Sequence, residues 1–275
     1  MNIQRSRLTA FMTLTLSVLA MFASLMGLLN RSLYQEVFEV GTISKFLLTG
    51  SMAQDIVSIP VGLVLVVLSI VFLRRPGQRT FIAILGLAGY FFYAYGLYAM
   101  QGQYTSIYLV YLVIFVLALY SLIFGLTSFE PDGLTVDLLP AMLRKSIIIF
   151  LMIILLILVP LWLFLLMADI AKHIPRDTYA VFVLDLGVVF PAFGIIIAQL
   201  LRNRPFGNVL AGVALFKILT ICLSVAFGEW FQAFYGGFQA NYTNIAIFTA
   251  LTLISVVLIA FYMSHLHKSS HPKNS

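Results

Sequence analysis

Residues 146–168 read SIIIFLMIILLILVPLWLFLLMA, 23 consecutive positions without a charge. A helix needs about 20 apolar residues to cross the hydrocarbon core of a bilayer. This run lacks the strict alternation of a barrel strand, and backbone groups in lipid must find their partners within the segment, so it is expected to span as a helix. Seven further runs meet the same criterion, at 8–29, 54–73, 80–100, 105–128, 178–201, 207–228 and 242–265. The reading is therefore an all-α polytopic membrane protein with eight transmembrane helices. Composition agrees: of 275 residues 62% are hydrophobic and 9% charged, against about 25% charged in soluble domains. That excludes a soluble globular fold, a disordered chain and a disulfide scaffold. Pro60, Pro160 and Pro191 fall inside spans and are expected to kink them, freeing a carbonyl each.

The first run follows a short basic stretch, Met1 to Arg7, as a signal peptide does. It continues to Leu29, long for a signal segment, and the small-residue cleavage context at Val18 and Ala20 is weak, so it reads as an uncleaved span. Lys and Arg then set the orientation. Numbering the ends alternately puts Arg5, Arg7, Arg74, Arg75, Arg79, Arg144, Lys145, Arg202, Arg204, Lys268 and Lys273 on the side of the N-terminus. Arg31, Lys45, Lys172 and Arg176 fall on the other. Eleven against four makes both termini cytoplasmic. The net charge of +6 is thus a topology signal, with anionic lipid headgroups rather than nucleic acid as its partner. Cys222, the single cysteine, lies in an apolar run and excludes an intramolecular disulfide.

Two stretches share a pattern. Asp55-Ile-Val-Ser-Ile-Pro60 precedes an apolar run, Arg74-Arg75-Pro76-Gly77 and another apolar run; Asp185-Leu-Gly-Val-Val-Phe-Pro191 precedes an apolar run, Arg202-Asn-Arg204-Pro205-Phe-Gly207 and another. Aspartate and Arg-Pro proline are 21 residues apart in one and 20 in the other. Four spans separate the copies, so both face the same way, as in parallel repeats. The expected organisation is a first four-helix half over 1–128, a cytoplasmic linker over 129–145 carrying the Pro131-Asp132-Gly133 turn, and a second half over 146–275 with a short cytoplasmic tail.

Offsets of 3, 7 and 14 share a helix face. In the second span that face holds Asp55, Ser58, Gly62 and Ser69; in the sixth, Asp185, Val188, Ala192 and Gln199; in the seventh, Lys217, Thr220, Ser224 and Gly228 fall together. Lys217 is about ten residues from either end of its run, near the midplane. A charge there costs at least ~2.5 kcal/mol and marks a functional candidate. Asp185 is its natural partner, about 6 Å away along the membrane normal at 1.5 Å per residue. The lysine stem leans toward its own N-terminus, against direct contact, so a water or a tyrosine hydroxyl is expected between them. A fixed ion pair joining two helices, or a neutral lysine, is the alternative.

Eight of the thirteen tyrosines lie between positions 90 and 120. Tyr98, Tyr104 and Tyr108 read as an interfacial belt, whereas Tyr90 and Tyr93 lie deeper, need hydroxyl partners and are placed in the same polar interior as Lys217. Gly86, Gly89 and Gly96 share a face and predict a close helix seam. Residues 30–53 and 229–241 mix aromatics with charges and read as interfacial segments, by default passive anchors and alternatively lids. Asn30-Arg-Ser32 and Asn241-Tyr-Thr243 match the glycosylation sequon, a weak motif so near the membrane.

No nucleotide-binding, metalloprotease or nucleophile-elbow motif is present, and no histidine lies deep in a span. His265, His267 and His271 read as a solvated tail, so no metal or cofactor is called for. The run Gly89-Tyr-Phe-Phe-Tyr-Ala-Tyr-Gly96, the paired Asp-to-Pro pattern and the two Arg-Pro hairpins resemble those of uncharacterised bacterial multi-pass membrane proteins. The resemblance covers roughly 54–120 and 180–228; it implies a bacterial inner membrane and brings no activity. The leading expectation is a small-solute binding or transport protein with an outward-facing polar cavity between the halves. Its candidate ligand-binding residues are Asp55, Asp185, Lys217, Tyr90, Tyr93, Thr220, Ser224 and Gln199. A non-transporting scaffold or sensor subunit is the alternative, and an intramembrane enzyme using Asp55 and Asp185 is the third.

Overall fold

The computed structural model describes residues 1–30, 32–129 and 138–269, with side chains to Leu266. Among these residues all regular structure is helical. Helix α1 spans Ile3–Leu29 and starts where the Asn2 side chain accepts the Arg5 N–H at 3.1 Å, the usual way to satisfy an orphan donor at a helix start. A short α2, Ser32–Glu39, follows. Helix α3, Lys45–Arg74, is capped by Ser44, which accepts the Leu47 N–H at 3.2 Å. Then come α4 (Gln78–Met100) and α5 (Tyr108–Leu126), α6 (Ala141–Lys172), α7 (Tyr179–Leu184), α8 (Phe190–Leu201), α9 (Pro205–Tyr235) and α10 (Tyr242–Ser269). A π-helical turn over Asp185–Val189 joins α7 to α8, making one continuous rod. Proline at the first turn of α9 wastes no hydrogen bond.

Eight helices are long and apolar enough to cross a membrane: α1, α3, α4, α5, α6, the α7–α8 rod, α9 and α10. These are the eight runs expected from the sequence, which fits a multi-pass membrane protein, and most continue past the expected ends. Helix α9 runs on from Gly228 to Tyr235, and α3 begins nine residues before the expected start at 54. The apolar run marks the stretch suited to lipid, whereas helical hydrogen bonding continues through polar turns at either end. The Pro131-Asp132-Gly133 turn lies outside the described residues. Helix α6 already begins at Ala141, inside the segment expected as linker.

Alternating connections place both described chain ends at one end of the bundle and α2 at the other, here the α2 end. Helix α1 packs on α3 and α5, α4 on α3 and α5, α8 on α6 and α9, and α10 on α6 and α9. The two groups meet where α9 packs on both α3 and α4. Helix α4 is the centre: 83% of its apolar window is buried, against 22% for α6 and 17% for α10. Its glycines explain the fit. Gly86 and Gly89 face Val213, Phe216 and Lys217 of α9, Gly212 of α9 faces Ile82 of α4, and Gly96 faces Leu184 and Phe115. The expected seam is therefore present, with α9 as the partner for its first two glycines.

Candidate functional site

Helices α3, α4, α6, the α7–α8 rod, α9 and α10 enclose a partly open cavity of about 340 Å³. Phe46 and Gln54 of α3, Gln101 beyond α4, Gln232 of α9 and Asn244 of α10 line its α2 end. The walls below are largely apolar, with Leu97, Ile154, Leu158, Phe190, Phe193, Phe248 and Leu251. Among these walls stand Tyr93, Trp162, Asp185, Lys217 and Cys222, Lys217 being the lining residue of α9 furthest from the α2 end. A mostly apolar pocket with a few convergent polar groups is the usual form of a small-molecule site.

Lys217 is partly accessible although it lies twelve residues into α9. Its Nζ sits 4.5 Å from the Tyr93 ring centroid and 5.9 Å from that of Phe193. An ammonium over aromatic faces gains on the order of 1 kcal/mol, and this contact leaves its N–H donors unused. Among the described residues Lys217 has no carboxylate within 4.0 Å and no hydrogen bond from its ammonium. Asp185 is near enough to interact with it electrostatically, but its carboxylate turns to other donors. Trp162 Nε1 donates to Oδ2 at 2.8 Å, and the Tyr93 hydroxyl faces it. In place of the expected water or tyrosine hydroxyl bridging both charges, Tyr93 lies between them with its ring under the ammonium and its hydroxyl toward the carboxylate alone.

The π turn sets this geometry. Phe190 N–H bonds back to Asp185 O, one residue further than in an α-helix. Pro191 has no N–H to offer, so the normal ladder is already broken there. Such turns recur at functional sites. Trp162 is held in turn by Phe182, its ring centroid 5.4 Å away, and Arg176 lies 5.1 Å over the other partner of that stack while bridging to Asp169 at 2.6 Å.

The expected residues divide between the cavity and its surroundings. Asp185, Lys217, Tyr93 and Ser224 line it. Tyr90 stands behind the wall, its hydroxyl 2.9 Å from Ser58 Oγ and also toward Ser224. Thr220 donates back to Phe216 O and Lys217 O and so serves its own helix. Gln199 lies at the far end of α8 against Gly207, its Oε1 buried without a partner among the described residues. Asp55 is 1% exposed and is not part of the cavity wall, so the two aspartates do not share a cleft.

Asp55 has its own cluster. Tyr34 Oη donates to Oδ2 at 2.6 Å and Tyr98 Oη approaches Oδ1 at 3.3 Å, while Tyr98 also donates to Ser51 O at 3.0 Å. Burial, with the Asp55 carboxylate adding to it, holds the Tyr34 phenol well above its usual value, which keeps it the donor. Two expectations are corrected here. Tyr98 is not an interfacial anchor: it is 2% exposed because its hydroxyl reaches a buried carboxylate. Tyr104, at 66%, does fit the interfacial reading. Nor is α2 a surface segment throughout, since Leu33, Tyr34 and Val37 turn inward. The signal for this was Tyr34 itself, an aromatic with a hydroxyl able to follow the apolar face of α2 inward. Near the cavity mouth, Phe46 packs edge-on to Phe238 at 5.8 Å, and Lys45 lies 5.7 Å over the same Phe238 ring.

Among the described residues no group of histidine, cysteine and carboxylate side chains could hold a metal. No family model, curated protein or solved structure matches this chain.

Proposed function

We propose that this chain is a multi-pass protein of a bacterial inner membrane, with both termini cytoplasmic, that binds or passes a small solute through an outward-facing cavity between two four-helix halves. The observation that carries the reading is Lys217, an ammonium deep in an apolar bundle whose donors meet a cavity rather than a carboxylate. A charge kept at that depth without a protein partner is a burden on folding, and solute recognition supplies a reason for it. The eleven-to-four distribution of Lys and Arg supports the orientation, which turns the α2 end outward. The helix pairings support the repeat: α1–α3, α4–α5, α1–α5 and α3–α4 recur as α6–α8, α9–α10, α6–α10 and α8–α9. Aspartate and proline are five residues apart in α3 and six apart in the second copy. The π turn takes up that extra residue, which supports a common origin for the two stretches.

Lys217→Met tests the function. A solute that raises the thermal unfolding midpoint of the wild-type protein should leave the midpoint of this variant unmoved, while the variant still elutes as a folded particle. An undiminished shift in Lys217→Met would remove the lysine from the site. Orientation is tested in a Cys222→Ser background by placing cysteine at Gln239 or Arg202, both exposed at opposite ends of the bundle. A membrane-impermeant maleimide added to intact cells should label the cysteine at 239 and spare the one at 202. The reverse pattern would invert the layout.

A further inference from the structure

The chemistry of the cavity goes beyond a generic solute. At its deep end stands a cation with unfilled donors, and Asp185, the nearest carboxylate, is occupied by Trp162 and Tyr93. The wall around it is apolar and aromatic, with Phe193, Phe190, Leu158, Phe248 and Leu251. Toward the α2 end the lining is polar, with Gln54, Gln232, Asn244 and Glu229, whose carboxylate accepts from Asn244 Nδ2 at 2.9 Å. The cavity therefore combines one cation, a largely apolar and aromatic wall, and polar groups toward the α2 end. Counted along α9, Lys217 and Gln232 are 15 residues apart, or roughly 22 Å at 1.5 Å per residue. A small inorganic anion would fill the deep end and leave the apolar wall wet. A neutral hydrocarbon would leave the ammonium without an acceptor. An amine would meet Lys217 as a like charge.

Resting on the solute-site reading above, we propose that the cavity takes an amphipathic organic anion, with its acidic group on Lys217 Nζ and its apolar body along Phe193, Phe190, Leu158 and Phe248. The Trp162 donor, with the Tyr93 hydroxyl facing the same carboxylate, occupies Asp185. A charge-assisted hydrogen bond in this apolar setting is among the strongest single contacts a protein offers, and the hydrocarbon body contributes by burial.

The chain carries its own reporter, because Trp162 lines the cavity while Trp230, the second tryptophan, is half-exposed and outside the cavity wall. In Trp230→Phe protein held in nanodiscs of zwitterionic lipid, α-bromo-octanoate carries its heavy atom beside the carboxylate and should quench Trp162 emission. Octanoate should reverse the quenching, whereas acetate, octanol and octylamine should not. Lys217→Met should raise the concentration needed about tenfold or more, and Lys217→Arg, which keeps the charge and guards against a folding defect in the first variant, should retain quenching. If octanol or octylamine competes as well as octanoate, the anion assignment is overturned while the cavity remains a solute site. If quenching is indifferent to Lys217 and to every competitor, the bromide acts from the lipid, and both the assignment and the solute-site reading fall.

Discussion

Valine in place of Gly86 should destabilise the bundle more than any substitution on the cavity wall. A Cβ built at this position overlaps Phe216 Cβ and comes within 2.9 Å of Val213 O. Neither atom is the free end of a flexible side chain, so relief requires α4 and α9 to separate. That seam joins the two helix groups and backs Lys217, whose own stem lies 3.3 Å from a Cβ at Gly89. Overpacking of a filled core typically costs about 1–3 kcal/mol, and the valine methyls add to the alanine clash. Where lipid surrounds a bundle, close backbone approach is a main source of helix association, so in a membrane the loss would be more serious. Gly194→Ala is the control: it meets nothing within 4 Å and should hold or raise stability. Thermal unfolding followed by size exclusion checks both, and a Gly86→Val protein that melts with the wild type would show that the seam is looser than its geometry.

The eight spans were legible because length and composition alone decide whether a helix suits lipid. The close α4 seam was legible for a related reason: Gly86 and Gly89 stand one turn apart on one face, whatever helix lies opposite. Which helix it was could not be read, since no local pattern names α9. Lys217 was legible by its cost. Its surroundings were half legible: the stem direction argued against contact with Asp185, and Tyr93 belonged to the right interior, but Trp162 was out of reach because its bond to Asp185 crosses 23 residues and two helices. The π turn had a trace in the sequence, one extra residue between aspartate and proline, whose meaning appears only with the hydrogen bond from Phe190 to Asp185.

The sequence assigns Tyr98 to the interface for a physical reason: it stands at the edge of its apolar run, a position that suits an aromatic belt. What overrides that is α2 folding inward: its apolar face of Leu33, Tyr34 and Val37 is visible in the sequence, but the buried carboxylate it docks on is not. The result separates two kinds of buried charge in one bundle. Asp55 is surrounded by donors that belong to neighbouring helices, so its bonds hold the bundle together, as the scaffold reading would have it for this cluster. Lys217 has no such surroundings, and it is there that solute recognition is argued.

Removing the carboxyl at Asp55 should release α2. In Asp55→Ala, Tyr98 keeps the Ser51 carbonyl as acceptor, but Tyr34, 2% exposed, loses the carboxylate that accepts from its hydroxyl at 2.6 Å. An orphaned buried hydroxyl costs about 1–3 kcal/mol, and the space left by the side chain adds to it. The burial of Leu33 and Val37 opposes release, a fully transferred aliphatic side chain being worth ~1.5–3 kcal/mol, so α2 should open by fluctuation rather than detach permanently. Amide exchange in 32–39 should accelerate strongly, whereas α9 around Lys217 should be unchanged, because Asp55 is outside the cavity wall. Asp55→Asn retains an acceptor oxygen and should fall between. Tyr34→Phe removes the donor instead. If the two side chains act as one unit, the double variant with Asp55→Ala should cost less than the sum of the singles, by about 0.5–3 kcal/mol. Strict additivity, or accelerated exchange spread evenly over α9, would mean that the Tyr34–Asp55 bond is not what seats α2. The glycine opposite offers an independent route to the same state: a Cβ at Gly27 overlaps Asp55 Oδ2 and comes within 2.8 Å of Tyr34 Oη, so Gly27→Ala should open α2 with both partners of the bond intact.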